Sequence, residues 1–419
     1  MQSTSFGSIN DLPPGKTGAA RTAGCPANRP ETPPTPSATI PLSRDPDLVN
    51  QGDILDKIVR FSEPATHVAL AGLGGAGQSQ LPVEQAHHIA EASAQPRHQT
   101  WRIRGVPAGI DEEKLEEALH QHPALRPPHT DLVDDGHDGN RIGNGVQVYT
   151  LTHDLRHGQV ATVRFQRLPH RLRTLARGDQ LTTDVDLSLE NTLVGSKRKR
   201  GSSTIRIAID RHFRGITVLS SPPTDNHTVD VLAVPGLGGH PYGSFVDKGD
   251  GHMWLSESLP RDMPTARVMI YGYESGLQDS NSFAGLDDLV SSLRAALRRL
   301  LGSGEQRRLI LLGHSLGGLL IKEAQIQMTE SNSELDQVRR IAGVLFFGVP
   351  NDGMDITSLI PMVNDQPNRA LLESLSAINS QVLRLQGRSF AKLLDQTALN
   401  LFCFYETKLS PTAARVSSP

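Results

Sequence analysis

The chain has 419 residues, 37% of them hydrophobic, and a formal net charge of −3 from Lys+Arg 42 against Asp+Glu 45. That is apolar enough for at least one sizeable core, and too evenly charged to draw the whole protein onto nucleic acid or an anionic membrane, so no nucleic-acid partner is expected. The two cysteines, Cys25 and Cys403, exclude a disulfide framework and a cysteine metal motif. With no run of eighteen apolar residues and no apolar stretch behind a basic amino terminus, neither a membrane span nor a secretory signal is predicted, and the cytoplasm is the expected compartment.

Residues 1–48 read as a disordered tail, as the Pro/Thr stretch Pro30 to Pro41 illustrates. In 49–95 a helical spacing at Ile54, Leu55, Ile58 and Val59 precedes a short apolar strand, His67 to Ala71. A glycine cluster, Gly72 to Gly77, then leads into a second helical pattern through Leu81, Val83, Ala86 and Ile89. Strand, glycine turn and helix are the parts of a phosphate loop, but a working loop needs a lysine for the outer phosphates and a hydroxyl for magnesium. Gln78 stands where the lysine belongs and Pro82 enters the helix, so nucleotide binding is not expected.

Residues 100–187 read as a small α+β leader. It has a strand at Trp101 to Val106, a helix opening at Asp111 with Leu115, Ala118 and Leu119 on its apolar face, and strands at Val146 to Leu151 and Val160 to Phe165. The His and Asp residues between Asp131 and His157 lack ligand spacing and read as a polar loop, so no metal is expected. Residues 188–227 read as a linker. Its basic run Lys197-Arg198-Lys199-Arg200 could serve nuclear import or contact phosphate, although such a run is more often a solvated loop.

From 228 to 419 apolar strands alternate with amphipathic helices, the pattern of a mostly parallel sheet covered on both faces. Val231 to Val234, Arg267 to Tyr271, Leu309 to Leu312, Ala342 to Phe347 and Leu399 to Tyr405 are the predicted strands. Leu286, Leu289, Val290, Leu293, Leu297 and Leu300 recur at three- and four-residue spacing and predict a helix packed on that sheet. The fold class is therefore α/β, with the α/β-hydrolase arrangement as the specific expectation.

That expectation comes from Gly313-His314-Ser315-Leu316-Gly317, placed between the strand Leu309 to Leu312 and the helical run Leu319 to Ala324. A Gly-x-Ser-x-Gly turn in this context holds the serine in a strained conformation above the sheet, and its glycines let strand and helix approach closely. Ser315 is the expected nucleophile. The oxyanion of an acyl-transfer reaction needs two backbone N–H donors, one after the nucleophile and one after an earlier strand. Leu316 supplies the first, and Leu237, in the glycine-rich run Val234 to His240, the second.

The triad in this fold runs serine, acid, histidine along the chain, yet no histidine follows Ser315. Glu406, after the last predicted strand, is the candidate acid and Asp352 the weaker one. His240 and His252 come into consideration as bases, whereas His314 is expected to point away from its neighbour. No cofactor and no metal is called for. Met253 with Trp254, and Phe346 with Phe347, are most simply core or lid residues.

Val234-Pro235-Gly236-Leu237-Gly238-Gly239-His240, Trp254-Leu255, Tyr271-Gly272-Tyr273, Gly313 to Gly318 and Phe346-Phe347-Gly348-Val349-Pro350 together resemble the fungal serine-active-site-containing, lipase-like α/β hydrolases. Such domains occur alone or at the amino terminus of fungal NACHT and NB-ARC receptor-like proteins, and residues 45–89 resemble the degenerate start of an NB-ARC domain. The resemblance implies an ester substrate, small or lipid, with Ser315 as nucleophile and Glu406 as acid. Its histidine lies in a later Asp-His segment, so the hydrolase segment is expected to be truncated at its carboxyl end or to be a degenerate hydrolase. Peripheral membrane association, protein partners and a mitochondrial or endoplasmic-reticulum location are further implications of the resemblance. A non-catalytic signalling or scaffold module of a receptor-like protein is the alternative function.

Overall fold

A computed structural model describes residues 67–71, 100–125, 145–155, 158–176, 178–187, 204–247, 251–277, 280–302, 306–357, 359–363 and 365–405. The tail 1–48, the glycine cluster with Gln78 and Pro82, the basic run Lys197–Arg200 and Glu406 lie outside the described residues.

Strand β1 (His67–Ala71) is followed by the leader, which contains β2 (Thr100–Val106), helix α1 (Glu112–Gln121), β3 (Val146–His153), β4 (Gln159–Phe165), β5 (Gln180–Asp186) and β6 (Thr204–Asp210). β2 to β6 form an antiparallel sheet in the order β3-β4-β2-β6-β5. Along β3, Val146, Val148 and Thr150 are buried and Gln147 and Tyr149 exposed, the period of two expected where one face of a sheet is covered. α1 supplies that cover through Leu115 and Leu119. Its first turn is fixed by Asp111, which accepts the Lys114 amide at 2.9 Å, with Glu112 and Glu113 placed to favour the positive end of the helix dipole.

The main sheet has seven strands: β7 (Gly215–Ser220), β8 (Val229–Val234), β9 (Ala266–Gly272), β10 (Arg308–His314), β11 (Ile341–Phe347), β12 (Asn400–Tyr405) and β1, in the order β1-β12-β11-β10-β8-β9-β7. All neighbours are parallel except β7, which runs antiparallel to β9 at one edge. Central strands buried on both faces cannot alternate, and β10 is accordingly buried from Leu309 through Gly313. Helices α2 (Leu286–Leu301), α3 (Leu316–Thr329) and α4 (Ser380–Gln396) belong to this domain. Leu289, Val290, Leu293, Leu297 and Leu300 of α2 pack with Leu319, Leu320 and Ala324 of α3, and with Leu383, Phe390 and Leu393 of α4, in one core cluster. A second cluster includes Val231, Ala233, Ile310 and Leu312 with Phe213, Tyr242, Phe245, Leu255 and Leu259. Met253, Trp254, Phe346 and Phe347, expected as core or lid, are members or neighbours of these clusters.

Two boundaries need correction. The expected linker 188–227 contains β6 and β7, so the leader runs to Asp210 and the main sheet opens at Gly215 rather than 228. In β6 Ile207 and Ile209 are buried on either side of the less covered Ala208, and β7 saturates the hydrogen-bonding edge of β9. The strand expected to open a separate phosphate-loop unit in 49–95 instead lies parallel to β12, with His67 opposite Leu401 and Ala71 opposite Tyr405. That pairing covers the edge that β12 would otherwise expose.

Candidate active site

The Leu309 to Leu312 run drives β10 through the middle of the sheet, and the chain reverses at Ser315 directly into α3. Ser315 sits at φ 49° and ψ −123°, and among the described residues only it and Phe213 are non-glycine positions with positive φ. Such backbone strain persists only where surroundings enforce it. Here the Ser315 amide donates to the Phe347 carbonyl of β11 at 2.9 Å and the Ser315 carbonyl accepts the Gly318 amide at 3.0 Å. A side chain at Gly313 would lie 2.7 Å from the Gly318 Cα, and one at Gly317 would collide with the Val234 and Pro235 carbonyls. Both glycines are therefore demanded by close packing, as the motif predicts.

The run Pro235 to His240 passes directly beside the elbow. A Cβ at Gly236 would lie 2.9 Å from both the Ser315 Cβ and the His314 Nδ1. The run is held from the segment after β9 by the Tyr273 hydroxyl, which donates to the Pro235 carbonyl at 2.8 Å, and by Ser275, whose hydroxyl donates to the Gly239 carbonyl at 3.1 Å while its carbonyl accepts the Gly238 amide at 2.6 Å. Burial holds the Tyr273 phenol well above its usual range, so it stays a donor. Among the described residues, the amides of Leu237 and Leu316 donate to no carbonyl in this network, while the amides of Ser315, Gly238 and Gly239 are all engaged. Two unclaimed donors flank a serine that is itself 2% exposed. In a site with so little water, hydrogen bonds to developing charge are strong.

The proton-transfer side is different. Among the described residues no imidazole and no carboxylate hydrogen-bonds to the Ser315 hydroxyl. His240, considered as a base, is consumed by backbone: its Nδ1 accepts the amides of Tyr242 and Gly243 at 3.2 and 3.0 Å, which leaves the proton on Nε2, 2.6 Å from the Arg211 carbonyl. The residue lies at the surface, yet both ring nitrogens are taken up by backbone groups, and desolvation holds His240 below the usual imidazole range. His252 is engaged by Glu257 at 3.1 Å and Ser258 at 2.8 Å. Both are corrected from candidate bases to structural histidines. His314 packs against Gly236 of the adjoining loop. Asp352 is exposed in the turn after β11.

Sequence reasoning passed over three contributors. Tyr273 and Ser275 brace the Pro235 to His240 run, a role that no local pattern assigns them. Lys322, two turns along α3 from Ser315, is 7% exposed, with its ammonium 5.1 and 5.6 Å from the ring centres of Phe346 and Phe390 and donating to Asn351. Burial lowers its pKa to about 8, a shift opposed by Cys403 and Asp352, and burial pushes the Cys403 thiol up to about 11. A lysine inside the apolar run Leu319-Leu320-Ile321-Lys322 was the available signal. Among the described residues no group of three or more metal-binding side chains converges.

No family model matches the chain. Protein SERAC1 of Danio rerio is 30% identical over 105 residues, covering 24% of this chain and 16% of the relative. SERAC1 of Mus musculus is 28% identical over 109 residues with the same shares. The chain thus spans about one sixth of the length of the curated relatives it matches. Among solved structures, phospholipase PlaB from Legionella pneumophila is similar at a TM-score of 0.33 and 16% identity, covering 44% of this chain and 40% of that one. Esterase B from Lactobacillus rhamnosis follows at a TM-score of 0.25 and 15% identity, covering 50% and 73%. Likenesses of that size add nothing to the strand order and the elbow. A parallel β9-β8-β10-β11-β12 sheet with an antiparallel edge, a strained serine between the central strand and its helix, and a glycine loop beside it make this an α/β-hydrolase fold.

Proposed function

We propose that the protein is a serine hydrolase of the lipase or esterase type acting on an ester, with a lipid ester as the favoured class. Ser315 attacks the ester carbonyl, and the Leu316 and Leu237 amides receive the charge that develops on its oxygen. A histidine oriented by Glu406 takes the serine proton and returns it to the leaving alcohol, and the acyl-enzyme is then opened by water. No described residue fills the histidine's role. The observation that carries the reading is the positive φ of Ser315 between two unclaimed amides, because backbone strain of this kind clusters at functional sites. Labelling with a fluorophosphonate tests it: a Ser315 adduct in the full-length gene product is expected, and its absence there would remove the reading.

The second reading is a non-catalytic scaffold, in which the fold is kept in a fungal receptor-like protein for contacts with other chains. It is favoured by the absence, among the described residues, of any imidazole bonded to the serine. Among these residues no helix is long and apolar enough to cross a membrane. A cytoplasmic location with peripheral attachment to a lipid surface is part of the first proposal, and a vesicle-flotation measurement tests the attachment.

A further inference from the structure

The turn joining the leader to the main sheet leads, contact by contact, to the oxyanion loop. Arg102 on β2 is 1% exposed and Asp210 at the end of β6 is fully buried. The Arg102 Nε and Nη2 donate to Asp210 Oδ2 at 3.0 and 2.8 Å, while its Nη1 reaches across to the main sheet, donating to Thr217 Oγ1 at 2.8 Å and to the Arg214 carbonyl at 3.0 Å. The second carboxylate oxygen of Asp210 accepts the Phe213 amide at 2.9 Å, and Phe213 is held at φ 50°. The carbonyl of that residue lies so close to the Gly272 Cα that a side chain there would collide with it. The Phe213 ring takes the Arg102 guanidinium on its face at 5.5 Å and meets the His240 ring edge-on at 5.3 Å. His240, the last residue of the oxyanion run, completes the chain through its 2.6 Å bond to the Arg211 carbonyl.

We propose that Arg102 is a positioning residue for the oxyanion loop: acting through Asp210 and the strained Phe213 turn, it fixes His240 and so the far end of the Pro235 to His240 run, which makes the leader a brace for the active site. Tyr273 and Ser275 hold the same run from the segment after β9, and the leader supplies the opposing support. A guanidinium fork suits this task because its donors are fixed in a plane and can serve three acceptors at once. The oxyanion role rests on the hydrolase reading, but the bracing does not.

The test measures backbone amide exchange across 235–243 in the 419-residue chain, together with the rate of fluorophosphonate reaction at Ser315, for Arg102→Gln, Arg102→Lys, His240→Ala and the exposed control Arg206→Gln. Arg102→Gln is expected to speed exchange in 235–243 at least tenfold while exchange in β10 and α3 is unchanged. Arg102→Lys should restore part of the protection and Arg206→Gln should change nothing. His240→Ala should loosen the same segment from its other end with exchange in the leader unaltered, and it decides the matter alone if Arg102→Gln does not fold. Unchanged exchange in 235–243, or an equal rise throughout the main sheet, would overturn the proposal. Local loosening together with slower Ser315 reaction supports it in full. Local loosening with no Ser315 reaction even in the wild type keeps the brace and leaves the hydrolase reading to the labelling of the full-length gene product.

Discussion

The nucleophile side of the site and its proton-transfer side are built on different material. Ser315, Gly317 and Gly236 lie where strand, helix and loop backbones meet, and the positions of the two amide donors follow from main-chain packing. The acid and base that the sequence nominated were side chains on loops beyond the strands, where Asp352 is exposed and His240 and His252 serve other bonds. Backbone geometry is enforced by the whole core, whereas an acid–base relay depends on a few long-range contacts. A fold can therefore keep a complete elbow independently of its relay.

The sharpest way to probe this contrast is Ser315→Ala, which should abolish phosphonate labelling and lower any ester hydrolysis by roughly a thousandfold or more while leaving the melting temperature within a few degrees. Gly236→Ala comes next. Its added methyl would press on the Ser315 Cβ and His314 at 2.9 Å, and a shift of the elbow of even a fraction of an ångström should slow labelling about a hundredfold, as measured alongside thermal melting. If labelling is unaffected, the loop does not set the serine.

A purely structural change gives the reference. Leu311→Ala, in the fully buried middle of β10, should cost about 2–5 kcal/mol in urea unfolding, with labelling of the remaining folded protein little altered. The smallest effect is one of pH. Lys322 has its pKa lowered to about 8 by burial, against about 10.4 in the unfolded chain. Below pH 8 both states are protonated and the desolvation cost is present in full. Above it the folded state releases the proton first, so stability should rise with pH. Cys403, pushed up to about 11, acts in the opposite sense above about pH 9, where the unfolded thiol ionises first. Urea titrations between pH 7 and 9 should therefore show stability rising in the wild type and flat in Lys322→Met. Parallel curves would mean that the ammonium is not buried in solution.

Much of this architecture was legible in the chain itself. The five parallel strands β8 to β12 are apolar runs that end in glycine or polar turns, because burial on both faces confines charged and amide side chains, such as Asp230, Arg267, Arg308 and Asn400, to the strand ends. The elbow was legible for a related reason: its glycines answer to local backbone contacts. β6 was missed because its isoleucines follow a basic run and precede an Asp-Arg-His turn, so the surrounding polarity suggested a linker. The pairing of β1 with β12 joins segments more than 300 residues apart, as the 67-to-401 register shows, and no local period encodes such a contact. The same holds for Arg102 and Asp210, separated by 108 positions, and for the Tyr273 hydroxyl on the Pro235 carbonyl. Side-chain pairs across elements become visible only when the fold has brought them together, which is also why His240 and His252 could stand as candidate bases until their partners were seen.

The central claim is that the elbow presents Ser315 as a nucleophile, and intact-mass analysis after fluorophosphonate treatment of the full-length gene product tests it most directly. A single adduct that maps to Ser315 and is lost in Ser315→Ala is the expected result. A protein that stays unmodified, or is modified equally with Ala at that position, would contradict it.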